Sequence, residues 1–274
     1  MQDSRSVSTL FASYNIHKCV GVDRRFDPGR TIAVISEIAP DVIAVQEADK
    51  RFGDRGALLD LDRLHRETGL VPVPVENGHA GHGWHGNLVL VREGLVRTLH
   101  QIRLPGLEPR GALVVDLDLA AGPVRVVAAH LGLLRQSRLL QIETLLQHAR
   151  AATDRPVVFM GDLNEWRRQG RSSLKHTQAV FGPLGRGVPS FPAYFPVLAL
   201  DRVFVLPSGI VEDFSAHDSP LARTASDHLP VKARVRLSDP LATAERPCAA
   251  RSVPVPPQRR RLLARLRDEE RPTP

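Results

Sequence analysis

Residues 156–166 read PVVFMGDLNEW. Val157, Val158, Phe159 and Met160 form a short apolar run closed by Gly161. Its length and β-branched start favour a buried strand over a helix segment. Asp162 and Asn164 follow at once. A strand end is where a rigid scaffold presents reactive groups to a cleft, so these two residues are candidates for chemistry.

The same design recurs along the chain. Asn15 closes the apolar run STLFASYN, Glu47 closes DVIAVQE and His130 closes VRVVAAH. Asp201 opens DRVFVL, and Asp227 and His228 precede LPVKARVRL. NLVLVR and ALVVDLDL complete the set of strand-like runs, and the alternation in LVVDLDL predicts a strand with one wet face. Taken singly, a Glu or a His after a strand is an ordinary solvated or hydrogen-bonded end. Taken together, several carboxylates and amides and two histidines at strand termini point to one site.

Helical spacing lies between the strands. Ile32, Ile35 and Ile38, stopped by Pro40, predict a first helix. Leu58, Leu59, Leu61 and Leu64 predict a second, closed near Gly69, and Leu139, Ile142, Leu145, Leu146 and Ala149 a third. Strands that follow one another directly, with helices interspersed, fit two sheets packed face to face under outer helices. That reading places one domain over residues 1–237. Residues 238–274 hold seven prolines and eight arginines against five acidic residues. They read as a flexible tail, with RRRLLARLRDEE a short basic amphipathic segment suited to membrane or nucleic-acid contact.

The chemistry that needs such a set is phosphate-ester hydrolysis. A hard dication neutralises the oxygens that shield phosphorus, and Mg²⁺ is satisfied by one or two carboxylates plus waters. A carboxylate–histidine pair can take a proton from the attacking water, and Asn and His donors can hold the developing charge. The net charge of +7 suits an anionic partner, although only four of the 37 basic residues are lysines, a bias that genome composition also produces. Two cysteines, Cys19 and Cys248, make neither a zinc pattern nor a disulfide framework. The absence of an apolar leader predicts a cytoplasmic protein.

SYNIH, DVIAVQEAD, HGNLVLVR, AAHLG, MGDLNEW, LDRVFV and SDHLPV, in this order over roughly residues 8–237, resemble the successive motifs of the endonuclease/exonuclease/phosphatase family. The resemblance implies an α+β fold, the four-layer α/β/β/α sandwich of two mixed sheets with outer helices that is also seen in deoxyribonuclease I. It implies Mg²⁺ or Mn²⁺ as cofactor, held by Glu47 with Asn15 beside it and Asp227 assisting. Asp162 would orient or activate the water, Asn164 bind phosphoryl oxygens, and His228 act as acid–base partner under the orientation of Asp201. His130 would protonate the leaving group or stabilise its charge. Where some family nucleases carry an Asp two residues after the strand Asn, this chain has His17.

Further segments rim this site. Lys18, Arg24, Arg25 and Arg30 form a basic stretch near Asn15, while Arg135, Arg138, Arg167, Arg168 and Arg171 either line the cleft or face water. Arg135 and Asn87 are taken as substrate-binding. ENGHAGHGWHGN, with His79, His82 and His85, reads as a mobile loop over the cleft, and Trp84 as a substrate contact or a packing residue. The Pro-rich PSFPAYFPVLAL reads as a rigid loop that aims Asp201. With aromatics at 5% and no added nucleic-acid-binding segments, a monomeric phosphoesterase of lipid headgroups or metabolites is expected ahead of a nuclease, and a non-catalytic binding module last.

Overall fold

A computed structural model describes residues 8–49, 56–76, 81–152, 154–167, 171–184 and 187–237. The expected tail over 238–274, His79 and Arg168 lie outside the described residues. The apolar runs form strands, numbered here in chain order, and sort into two sheets. The first holds β1 (Ser8–Asn15), β2 (Val42–Gln46), β3 (Val71–Pro72), β4 (Leu88–Val91), β10 (Val211–Ala216) and β11 (Val231–Arg236) in the order β10-β11-β1-β2-β4-β3. The second holds β5 (Leu95–Leu104), β6 (Arg110–Leu119), β7 (Gly122–His130), β8 (Val157–Asp162) and β9 (Asp201–Leu206) side by side in that order. Both sheets are mixed: β1 runs parallel to β2 and β7 parallel to β8.

Strand alternation assigns each side chain to a layer. Phe11, Val42, Ala44, Leu113, Val115, Val126, Val158 and Met160 pack between the sheets. Tyr14, Ile43, Val45 and Leu90 face outward under α1 (Pro28–Ile38) and α2 (Leu61–Thr68). Val114, Val127, Val157 and Phe159 face outward under Ile142, Leu145, Leu146 and Ala149 of α3 (Arg135–Arg150). Three apolar layers between four structural ones make the α/β/β/α sandwich.

Helix ends follow local chemistry. The Asp27 side chain accepts from Arg30 N at 3.1 Å to cap α1, with Pro28 at its first turn, and Ala39 ends it in a left-handed conformation before Pro40. Asp60 caps α2 and Gly69 closes it at φ 72°. Leu58 and Leu59, expected inside this helix, precede it. Among the described residues no helix is long and apolar enough to cross a membrane.

Two strand readings change. The expected wet face of β6 is wet only at Asp118, near its end: Asp116 is buried because Arg125 (2.6 and 2.8 Å) and Thr98 (2.8 Å) satisfy its carboxylate. The strands β3, β5 and β10 were not expected. β5 and β10 are edge strands rich in polar side chains, so they lack the apolar run by which the others are recognised.

Candidate active site

Three of the predicted residues form one row across the second sheet. His130 lies beside Asp162 in the parallel register of β7 and β8, and Asp162 beside Asp201 in the antiparallel register of β8 and β9. Each shares the inward phase of its strand, as Val158 and Met160 do for Asp162. On the facing sheet Asn15 has the phase of Phe11, and its Nδ2 donates across the gap to Asp162 Oδ2 at 3.0 Å. Gly161 makes the row possible. At φ 153° a Cβ there would lie 1.8 Å from the Ala129 carbonyl oxygen, so only glycine lets β8 lie this close to the end of β7.

Asp162 is the hub. Its Oδ1 accepts from Asn164 N at 3.0 Å, and its Oδ2 lies 3.3 Å from His130 Nε2 and 3.8 Å from His228 Nε2. His228 comes from the turn before β11 and places Nδ1 2.8 Å from Asp201 Oδ2. Ser190 Oγ donates to the same oxygen at 2.5 Å, and Phe191 lies against the His228 ring with centroids 4.9 Å apart. The Pro-rich stretch thus holds the Asp201–His228 pair in place. Ser226 Oγ ties the His228 turn to β1 by donating to the Asn15 carbonyl at 2.7 Å. Burial alone would lower the His228 pKa, but Asp201, Asp162 and Asp227 outweigh it and raise it to about 10, so His228 carries a proton at neutral pH.

Glu47 stands apart from this row. Its ordinary strand continuation would follow β2, but the residue turns left-handed at φ 57°, and its Oε2 pairs with the Lys18 ammonium. His17, Lys18, Cys19, His85 and Asn164 also have left-handed backbone. These six are among the eight such non-glycine residues in the described structure, and all lie on segments that border the cleft. Clustered backbone strain of this kind accompanies functional sites. Glu47 and Lys18 line a small cavity of about 30 Å³ with Asp49, His85, Arg110 and His130. Asp227, a third exposed at its side chain, lies 3.8 Å from His17 Nδ1.

The donor chemistry suits a hard dication. The Glu47 and Asp227 carboxylates and Asn15 Oδ1 are oxygen donors of the kind such an ion takes, and the carboxylates of Glu47, Asp162, Asp201 and Asp227 are opposed by Lys18 and His228. Asp162, Asp201 and His228 also bring potential ligand atoms within 4.8 Å of one another. Within that trio His228 gives Nδ1 to Asp201 and turns Nε2 toward Asp162.

The remaining predicted residues make the following contacts. Asn87 is buried and donates to the carbonyls of Gly111 (2.9 Å) and Trp84 (3.3 Å), which fixes the turn 84–87 against β6; its Oδ1 has no hydrogen-bond partner among the described residues. Trp84 packs between the sheets and donates to the Ile102 carbonyl. His82 bonds the Leu59 carbonyl. Arg135 bonds the Arg171 carbonyl at 3.3 Å. Arg138 neither lines the cleft nor faces water: it is fully buried, paired with Glu165 at 3.5 Å and bonded to the carbonyls of Gly132 and Leu133. Residues that sequence reasoning did not assign also converge here, namely Ser190, Ser226 and Arg110. Arg110 carried no signal that set it apart from the chain's other arginines.

A four-layer sandwich with carboxylates, amides and histidines assembled at the ends of its central strands defines a class of acid–base and oxygen-ligand sites. The chain belongs to the endonuclease/exonuclease/phosphatase family, whose profile matches residues 12–228. An uncharacterised protein of Escherichia coli, YbhP, is 32% identical over 170 residues, 57% of this chain and 64% of that one, so the match spans less than two thirds of the relative. Among solved structures, an endonuclease/exonuclease/phosphatase protein from Beutenbergia cavernae is similar with a TM-score of 0.64 and 27% identity, covering 84% of this chain and 72% of the other. A Danio rerio TDP2 complexed with a single-stranded DNA product has a TM-score of 0.60 at 15% identity over 83% of this chain and 98% of that one, a likeness of fold.

Proposed function

We propose that the chain is a divalent-metal-dependent phosphoesterase that hydrolyses a phosphodiester or phosphomonoester of a lipid headgroup or metabolite by in-line attack of water. The observation that carries this reading is the hub at Asp162, a buried carboxylate flanked by two histidines and held by two asparagines. Glu47, with Asn15 and Asp227, would hold Mg²⁺ or Mn²⁺, which when bound supplies charge neutralisation to the phosphoryl and leaving oxygens. Asp162 orients the water and takes its proton as the oxygen attacks phosphorus. The bond to the leaving oxygen breaks with its electron pair, and protonated His228, held by Asp201, supplies the proton. Asn164, whose Nδ2 donates one hydrogen to the Leu131 carbonyl at 2.9 Å, would bind the phosphoryl oxygens through the other. Arg135, whose Nε donates to the Arg171 carbonyl, and Asn87, whose Nδ2 donates to the Gly111 carbonyl, would contact substrate through their remaining polar atoms. A nuclease is the second reading, favoured by the charge of +7 and pI of about 10.2.

The test is hydrolysis of bis-p-nitrophenyl phosphate, p-nitrophenyl phosphate and plasmid DNA with Mg²⁺, Mn²⁺ or EDTA, beside the Asp162→Asn protein. Metal-dependent ester cleavage without nicking supports the first reading, and nicking lost in the variant supports the second. Thermal unfolding with Mg²⁺ gives a readout free of activity: Mg²⁺ raises the melting temperature of the wild type and not that of Glu47→Gln. Equal shifts in both would remove Glu47 from the metal site.

A further inference from the structure

His130 and His228 flank the same carboxylate, yet their far ring nitrogens meet opposite partners. At His228, Nδ1 faces Asp201 Oδ2 at 2.8 Å, an acceptor, so Nδ1 carries a hydrogen. At His130, Nδ1 faces Arg110 Nη1 at 3.1 Å. A guanidinium has five N–H donors and no acceptor, so His130 Nδ1 must present its lone pair. The imidazolium form would set N–H against N–H. On the near side, His130 Nε2 lies 3.3 Å from Asp162 Oδ2, a carboxylate oxygen, and this proximity favours the hydrogen on Nε2. The Arg110 contact sets the tautomer, and the position of Asp162 accords with it.

The guanidinium is anchored for this task. Arg110 opens β6, whose Ala112 pairs with Ala129, and this brings Arg110 alongside the end of β7. The residue is 8% exposed, and its Nε and Nη2 both donate to Glu108 Oε2, at 3.2 and 2.9 Å. The other oxygen of Glu108 accepts from Leu133 N at 2.6 Å. With two of its nitrogens committed to Glu108, the planar fork has one orientation, and Nη1 points at the ring.

We propose that Arg110 is a positioning residue that fixes His130 as the neutral tautomer with its hydrogen on Nε2, so that His130 is a hydrogen-bond donor and not the acid that protonates the leaving oxygen. His130 then aims a fixed dipole at Asp162 and at the oxygen that bears developing charge. The role in catalysis rests on the phosphoesterase reading; the tautomer does not.

The experiment is a long-range ¹H–¹⁵N spectrum of the full chain labelled at histidine, near neutral pH, with His130 identified by the signal lost in His130→Gln. The expected wild-type pattern is a protonated Nε2 and an unprotonated Nδ1, replaced by tautomer averaging in Arg110→Met and retained in Arg110→Gln, whose amide can still donate. A wild-type Nδ1–H tautomer, an imidazolium or an averaged pair would overturn the proposal, and this needs no variant of Arg110 to fold. On bis-p-nitrophenyl phosphate, Arg110→Met lowers kcat about 10- to 100-fold with KM nearly unchanged, and Arg110→Gln regains most of it. A raised KM at unchanged kcat would make Arg110 a substrate-binding cation and refute its positioning role. If the wild type turns over no ester, the phosphoesterase reading fails, and the spectrum still decides the tautomer.

Discussion

Asp162→Asn changes no volume and removes one charge, which makes its effect calculable. The carboxylate accepts from Asn164 N on one oxygen and from Asn15 Nδ2 on the other, which also lies 3.3 Å from His130 Nε2. An asparagine has one oxygen. Turned toward Asn15, it sets its NH₂ against the Asn164 N–H; turned the other way, it sets NH₂ against the Asn15 amide. At least one buried donor loses its acceptor, which costs about 1–3 kcal/mol. For a domain of this size each kcal/mol is about 2–4 °C, so the melting temperature should fall by about 2–12 °C. Turnover should fall much further. Loss of the base costs about 10²–10⁴ in kcat, or about 2.7–5.4 kcal/mol of transition-state stabilisation. The assay is kcat on bis-p-nitrophenyl phosphate beside thermal unfolding of the same preparation. A folded variant that turns over within a few-fold of the wild type would refute the assignment of Asp162 as base, and a lowered melting temperature without a rate loss would reduce it to a structural acceptor.

Gly161→Ala should cost about 3 kcal/mol or more, because its Cβ would meet the Ala129 carbonyl oxygen at 1.8 Å and force β7 and β8 apart; an unchanged melting temperature would contradict this. Glu165→Gln leaves the fully buried Arg138 without a counter-charge and should destabilise by about 3–5 kcal/mol, with the double variant Glu165→Gln/Arg138→Met less damaged than the single one in denaturant unfolding. Asp116 has its carboxyl held below the ordinary 3.8: burial opposes ionisation, and Arg125 and Thr98 more than compensate. A depressed folded pKa stabilises above the unfolded value, and that contribution is lost as pH falls through the folded one. Stability should therefore drop below about pH 4, less steeply in Asp116→Asn, and parallel acid limbs in the two proteins would show that Asp116 contributes nothing there.

Much of the fold is legible because strand alternation is local. Phe11 and Asn15, or Val158, Met160 and Asp162, share a phase in the sequence, and that phase alone puts Asn15 and Asp162 between the sheets. The helix limits at Asp27, Ala39, Asp60 and Gly69 follow from caps and turns within a few residues. What only the tertiary structure decided is which charges are buried and which partner each one meets. Arg138 looks like a surface residue of a helix start, and Asp116 like the wet side of a strand, until Glu165 and Arg125 arrive to satisfy them. Asn15 and Asp162 are 147 positions apart, and Arg110 and His130 are joined across two strands. Burying a charge is tolerated only where partners converge from several elements, and sequence spacing does not encode that convergence. The types of residue at the site are thus written in the chain, whereas the position of each proton is set by the neighbours that folding supplies.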